Sequence, residues 1–377
     1  MVYHSQIGRM SLACIFLNLT GGTSNPGCQG TSHLLKAGLL HSGLQIQSDC
    51  PIGYCDSIYR RIKPPAPNST LKQRLLSRLG LRYALPPYDL ALAWNSANAS
   101  LAPKFAALWH EADSIVLNGE GTIHHSGVGA LTLLGFCKIA KDLGKKVFIT
   151  NCSIFDLEAF LLKTLRDCVD RVAVREPLSL RYLVDHGIPA TQAADCLFLM
   201  EGGEEQEFAW PELEPSKKYA LYTPGVLAAF GRVSGEGVRR DISQLRRAGY
   251  EVFFHVVETE DERFAADAAQ TGARILPLGC LRWRQVPPFL RRMELVVSGR
   301  YHINIFAALT GVPFLPLSTN TGKMAGLLEL LSPDRKIPVR EWGNECPELN
   351  LEGAFLADKS QVQRCRELAQ KNFEFFD

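Results

Sequence analysis

No apolar run in this chain approaches the roughly 20 residues a helix needs to cross a bilayer. The apolar segment 12–19 is too short for a secretion signal, and no small-residue cleavage site follows before Asn25-Pro26-Gly27. It reads instead as a first β-strand. Residues 1–9 lack periodicity and read as a disordered lead, with Met10 as an alternative start. A soluble, cytoplasmic protein is expected. Charge imbalance is also missing: 41 Lys and Arg against 39 Asp and Glu leave a net +2. That excludes a general nucleic-acid binder while leaving room for a local anion site. None of the eleven cysteines forms a Cys-x-x-Cys pair, and Cys14, Cys137 and Cys168 sit in apolar runs, as reduced core thiols do. There is no ligand cluster with metal-binding spacing, so no metal and no cofactor is expected. Internal repeats, the phosphate-binding Walker pattern and the dinucleotide fingerprint are absent as well.

What the chain does have is alternation. At 377 residues it is too long for one ordinary core and suits two domains. Apolar strands are predicted over 12–17, 44–47, 114–118, 146–150 and 171–174, separated by helices over 31–40, 70–79, 100–111, 128–143, 157–167 and 177–186. Residues 201–216 break the pattern with two glycines, two prolines and six glutamates, and read as an acidic linker. Beyond it come strands over 219–223, 251–257, 274–276, 295–297 and 313–317, and helices over 235–248, 261–271, 286–292, 304–309 and 323–331. Strand–helix alternation implies parallel sheets with right-handed crossovers. The expected fold is therefore α/β, with two doubly wound, Rossmann-like domains facing a cleft. They cover 1–200 and 218–335, joined by a linker over 201–217. An extension, 336–377, carries a last helix over 360–373 that packs back across the domains.

Ligands bind such sheets at the C-terminal ends of their strands, and several polar segments fall there. Thr20–Gly30 is a glycine-rich turn into a helix that presents free N–H groups to an anion or merely permits tight packing. Asn118, Gly119, Glu120, Gly121, His124 and His125 follow the strand over 114–118. Glu120 is a candidate base, and either histidine a candidate anion ligand or proton carrier. Arg175 ends the next buried strand but one, just before Pro177 at a helix start. It can clamp a phosphate or carboxylate, or pair with Glu176 or Asp195. Ser298-Gly299-Arg300-Tyr301-His302 again joins an apolar strand to a helix start, adding partial positive charge to Arg300 and His302. Lys323 opens the last helix of the second domain, to meet a phosphate or to sit solvated. The arginines at 239, 240, 246, 247, 282, 284, 291 and 292 read as solvated helix faces. A docking surface for an anionic acceptor or a membrane is the alternative.

In this order these blocks resemble the polysaccharide pyruvyltransferase family. The likeness rests on 114–122, on Arg-Glu-x-x-Ser at 175–179, on Ala194-Asp195, and on Ser-x-Arg-x-His at 298–302. It continues through Ala308-Leu309-Thr310-Gly311-Val312-Pro313 and Lys323. The Gly-Glu-Gly at 119–121 and the turn at 25–30 depart from the family pattern. The resemblance implies a GT-B-like fold, phosphoenolpyruvate as donor, and a sugar or glycan precursor as acceptor, with lipid linkage left open. It implies that Arg175, Arg300 and His302 bind the donor or act on it, with a histidine of the 124/125 pair beside them. Asn118, Gly119, Gly121, Ser298, Tyr301 and Lys323 join the expected substrate-binding set. The reaction so implied is formation of a cyclic pyruvate ketal, with His302 as general acid and Glu120, His124 or His125 as base. A nucleotide-sugar glycosyltransferase on the same scaffold and a non-catalytic glycan-binding protein are the competing readings.

Overall fold

The computed structural model describes residues 12–50, 59–61, 89–201, 213–342 and 348–376. The expected helix over 70–79, the lead over 1–9 and most of the acidic linker lie outside them. The first domain holds β1 (Ala13–Leu17), α1 (Pro26–His41), β2 (Gln45–Cys50), α2 (Leu90–Leu108), β3 (Ser114–His124), α3 (Val128–Asp142), β4 (Lys146–Phe155), α4 (Ala159–Cys168), β5 (Arg171–Val174), α5 (Pro177–Asp185) and β6 (Thr191–Gln192). Its six strands are all parallel, in the order β2-β1-β3-β4-β5-β6. The apolar stretch Ser114–Leu117 takes a central place because a strand covered on both faces must be hydrophobic on both.

The second domain holds β7 (Lys218–Thr223), α6 (Gly235–Arg247), β8 (Tyr250–His255), α7 (Ala265–Gln270), β9 (Arg274–Leu276), α8 (Val286–Leu290), β10 (Leu295–Ser298), α9 (Tyr301–Thr310), β11 (Phe314–Pro316) and α10 (Lys323–Leu331). These strands are parallel too, in the order β11-β10-β7-β8-β9. The changeover between sheets falls between β6 and β7, where the acidic segment lies.

The last helix, α11 (Lys359–Gln370), crosses back to the first domain. Just past it, Asn372 is fully buried: its Oδ1 accepts from Thr150 Oγ1 and Asn151 N, each at 2.9 Å, and its Nδ2 donates to the Ala194 carbonyl. Phe198 and Met200 of the first domain share one apolar core with Phe289, Phe306 and Cys365. The two domains are thus fused by a continuous hydrophobic contact as well as by the chain.

Of the expected boundaries that move, such as the helix start that shifts from 100 to Leu90, two bear on the site. The pattern after Leu117 predicts a loop leaving the sheet, yet β3 runs on to His124. It keeps pairing with β4 across a register shift between Glu120 and Ile123, the kind of irregularity that re-aims side chains without ending a strand. The glycine-rich turn of 20–30 is shorter than expected, because Asn25 caps α1 and Pro26 opens it.

Candidate active site

Both sheets turn their strand C-terminal ends toward a cavity of about 250 Å³ between the domains. From the first domain it is lined by Asn25, Cys28, Glu120, Gly121, Thr122 and Arg175. The second domain contributes Glu258, Arg300, Tyr301, His302 and Lys323, among others. Residues nearly 300 positions apart in the chain therefore share one small space.

Arg175 leaves the end of β5 and is almost wholly buried. Its Nε donates to Ser153 Oγ at 2.9 Å, and its Nη1 to Asp195 Oδ2 at 2.7 Å. Of the two ion pairs open to it, with Glu176 or with Asp195, the one formed is with Asp195. It consumes only one edge of the guanidinium: Nη2 stays open to the cavity over Gly121, where a Cβ would lie 3.2 Å from it. The guanidinium carbon also stacks 4.4 Å above the Tyr301 ring, so this cation is held from three sides.

His302 comes from the first turn of α9 and reaches into the other domain. Its Nε2 lies 3.3 Å from Asp195 Oδ2, 3.4 Å from Arg175 Nη1 and 3.5 Å from Thr31 Oγ1. Burial by itself would raise the Asp195 carboxyl. The nearby His302 and Arg175 outweigh it and hold the group well below the usual carboxylate range. A Cβ at Gly27 would fall 2.1 Å from the His302 side chain, so only glycine lets α1 abut this ring.

Arg300 caps α9 and turns the opposite way. Its Nη2 binds Asp261 Oδ2 at 2.7 Å and Glu260 Oε1 at 3.2 Å, while its buried Nε has no partner among the described residues. Ser298 is fully buried. Its Oγ accepts the Arg300 N–H at 2.9 Å, which fixes the turn rather than facing the cavity. Gly225 and Gly299 lie so close that a Cβ on either would meet the other's backbone at 3.0 Å or less, and this contact sets the cavity wall. Lys323 sits at the start of α10 as the expected third cation. Its amine has no hydrogen bond or ion pair among the described residues, and a Cβ at Gly121 would lie 3.1 Å from it. Loss of solvation, then the charges of Arg175 and Arg300, push this amine down to about 7.

Glu120 faces the cations from β3. Asn118 Nδ2 donates to its Oε1 at 2.9 Å, Cys28 Sγ to its Oε2 at 3.2 Å, and Thr20 Oγ1 also donates to Oε1. Burial, then the neighbouring Glu120 charge, push the Cys28 thiol well above its usual range, so it stays a donor. Glu120 has φ 38°, Asn18 φ 62° and Asn151 φ 53°, all in the left-handed region although none is glycine. Each such residue costs on the order of 1 kcal/mol or more, and strain of this sort gathers where side chains must be aimed. The asparagines spend it on a buried ladder, with Asn18 bonded to the Asn118 carbonyl and Asn151 to Asn118 Oδ1.

Several expected site residues stand elsewhere. Asn118 is buried in that ladder, and Gly119 is needed because a Cβ there would overlap Cys152 at 2.3 Å. Neither histidine of the 124/125 pair lines the cavity. Because β3 continues as strand, His124 lies about 13 Å of strand rise beyond Glu120. Its Nε2 lies 3.2 Å from Asn320 Nδ2. His125 is half exposed, with Nδ1 2.8 Å from Asp156 and Nε2 3.0 Å from the Asn320 carbonyl. Conversely, Thr31, Glu258 and Asp261 belong to the site or its support without standing out as candidates in the sequence, whereas Thr20 and Cys28 come from the glycine-rich turn already singled out there. The acidic run Glu258-Thr259-Glu260-Asp261 just after β8 is their one visible signal. Among the described residues no helix is long and apolar enough to cross a membrane.

The scaffold has known relatives in shape. A putative UDP-N-acetylglucosamine 2-epimerase from Listeria monocytogenes is 12% identical, over 96% of this chain and 92% of its own, with a TM-score of 0.54. The UDP-N-acetylglucosamine 2-epimerase from Rickettsia bellii is 10% identical over 98% and 96%, at 0.51. That from Neisseria meningitidis, bound to UDP-GlcNAc, is 11% identical over 85% and 86%, at 0.50. At such identities the likeness shows the fold alone, the GT-B-like pair of parallel-sheet domains. No curated protein sequence matches the chain. The model of the polysaccharide pyruvyl transferase family matches residues 48–321, well over half of the chain, from β2 to the turn that precedes Lys323. Its fold and that match together make this chain a transferase belonging to the polysaccharide pyruvyl transferase family.

Proposed function

We propose that the protein transfers the pyruvyl group of phosphoenolpyruvate to two hydroxyls of a sugar, forming a cyclic ketal and releasing phosphate. The observation that carries this reading is the convergence of Arg175 Nη2, Arg300 and Lys323 from two domains on one cavity of about 250 Å³. Phosphoenolpyruvate is a compact frame bearing a phosphate and a carboxylate, and it needs several cations at close range.

In the proposed sequence His302 protonates the methylene carbon of the donor. Asp195 engages Nε2, which leaves Nδ1 as the atom that hands over the proton. An acceptor hydroxyl attacks the resulting oxocarbenium carbon and loses its proton to Glu120. Glu120 takes this role because it faces the cations while His124 and His125 do not. A second hydroxyl then displaces phosphate from the same carbon and closes the ketal. Of the two hydroxyl protons, one replaces that spent on the methyl group and the other leaves with phosphate.

The test is phosphate release from phosphoenolpyruvate against a panel of glycan precursors, with mass spectrometry of the products. The expected product is heavier by one pyruvic acid less one water. Phosphate release with no acceptor gain, or turnover of a nucleotide sugar instead, would overturn the reading.

A pH signature follows from Lys323. With its amine near 7, it is charged below that pH and neutral above it, so the donor is held more tightly in acid. KM for phosphoenolpyruvate is expected to rise as pH goes from about 6 to about 8, because the neutral amine no longer gives the donor a charge-assisted hydrogen bond. In Lys323→Met the low-pH KM is already high and the rise is flattened. Equal slopes in both proteins would rule out this role for Lys323.

A further inference from the structure

A second cavity, of about 320 Å³, lies on the other flank of the β1–α1 turn. Leu19, Gly21, Gln29, Ser32, His33 and Lys36 line it from the first domain, with Arg282, Trp283 and Arg284 from the loop after β9. Three of these nine residues are cationic and none carries a carboxylate. Arg239 and Arg246, by contrast, are spent on Asp267 and the Thr271 carbonyl, as solvated helix faces should be. Arg282 and Arg284 instead stand on the loop before α8 and line this cavity.

The cavity is built across the domains. Trp283 seats against α1, where a Cβ at Gly30 would lie 3.2 Å from its ring, and its backbone N–H donates to Gln29 Oε1 at 3.3 Å. His33 packs on the indole with ring centroids 5.2 Å apart, and the Arg284 guanidinium lies 4.6 Å over it. Lys36 is half-buried and shares its charge with Asp49 at 2.5 Å. The Arg282 guanidinium has no ion pair among the described residues. Trp283 thus anchors a cationic loop to the helix that also forms the first cavity.

The two cavities meet at Thr20. Its hydroxyl donates to Glu120 on the first cavity's side, and its N–H donates to Ser32 Oγ at 2.9 Å on the other. Cys28 lines one cavity and its neighbour Gln29 the other. We infer that the second cavity binds a phosphate or diphosphate group carried by the sugar acceptor, which sets the acceptor hydroxyls beside Glu120. Three cations with no lining carboxylate suit a multiply charged anion better than a single carboxylate. The inference rests on the reading of the protein as a transferase with a sugar acceptor, and it adds where that acceptor is gripped.

Calorimetric titration of the full chain tests it, with free diphosphate as the probe and the first cavity occupied by saturating phosphoenolpyruvate. Diphosphate is expected to bind, and Arg282→Ala/Arg284→Ala to weaken it about tenfold or more. Arg246→Ala/Arg247→Ala, outside the cavity, should leave it unchanged. Unaltered affinity in the first double variant overturns the inference, as does equal weakening in the second. Glucuronate binding as tightly as diphosphate would overturn the choice of phosphate. Phosphoenolpyruvate is titrated separately: if it fails to bind the unmodified protein, the donor reading falls, while the diphosphate comparison between variants still decides the second cavity.

Discussion

His302→Ala is expected to lower pyruvyl transfer by about 10²- to 10⁴-fold, the usual worth of a positioned general acid. The fold should survive. Asp195 would keep Arg175 at 2.7 Å and the Leu197 N–H and Thr31 hydroxyl at 2.9 Å, so no buried charge is stranded. The ring also sits at the cavity edge, where its loss enlarges an existing space instead of opening a void in a core. A loss of proton transfer should fall on kcat with KM for phosphoenolpyruvate little changed. Added imidazole is expected to restore part of the rate, because the space beside Gly27 can admit it. Turnover within a few-fold of the unmodified protein would refute the assignment. A rise in KM with kcat intact would make His302 a binding group only.

Arg175→Met should do two kinds of damage at once. Asp195 is fully buried and would lose its nearest ion-pair partner, a change that costs about 3–5 kcal/mol when one member of a buried pair is removed. The cavity would also lose the cation that faces it from the first domain, so phosphate release should fall below detection. The two effects separate in the double variant Arg175→Met/Asp195→Asn. Removing the stranded carboxylate should return most of the stability, measured by chemical denaturation, while activity stays lost. If the double variant is no more stable than Arg175→Met, the ion pair is not what holds this region. If either variant turns over normally, Arg175 does not bind the donor.

Much of the frame is legible in the residues. Each strand expected from the alternation formed as a parallel strand, most of them because a run hydrophobic on both faces is covered on both. The acidic stretch after Met200 falls in the chain at the changeover between the sheets. Arg175, Arg300, Tyr301, His302 and Lys323 are marked by one local feature, a polar residue directly after a buried strand or at a helix start. That feature puts a side chain at a sheet's C-terminal edge whatever its neighbours are.

Direction and partnership are not legible there. His124 and His125 have the same chemistry as His302 and also follow an apolar run, yet pairing with β4 carries them past the cavity. Nothing in residues 118–126 themselves fixes where that strand ends. Arg300 and His302, two residues apart, point to Asp261 in one domain and Asp195 in the other, a divergence set by the turn at Ser298 and by glycine at 27. Trp283 meets α1 across more than 250 positions, so its cavity has no trace in any local pattern. The sequence by itself determined which segments are strands and helices and which polar groups sit at their ends, because burial and backbone hydrogen bonding are satisfied locally. Only the tertiary structure decided which of those groups share a space, because that depends on how two separately formed sheets dock.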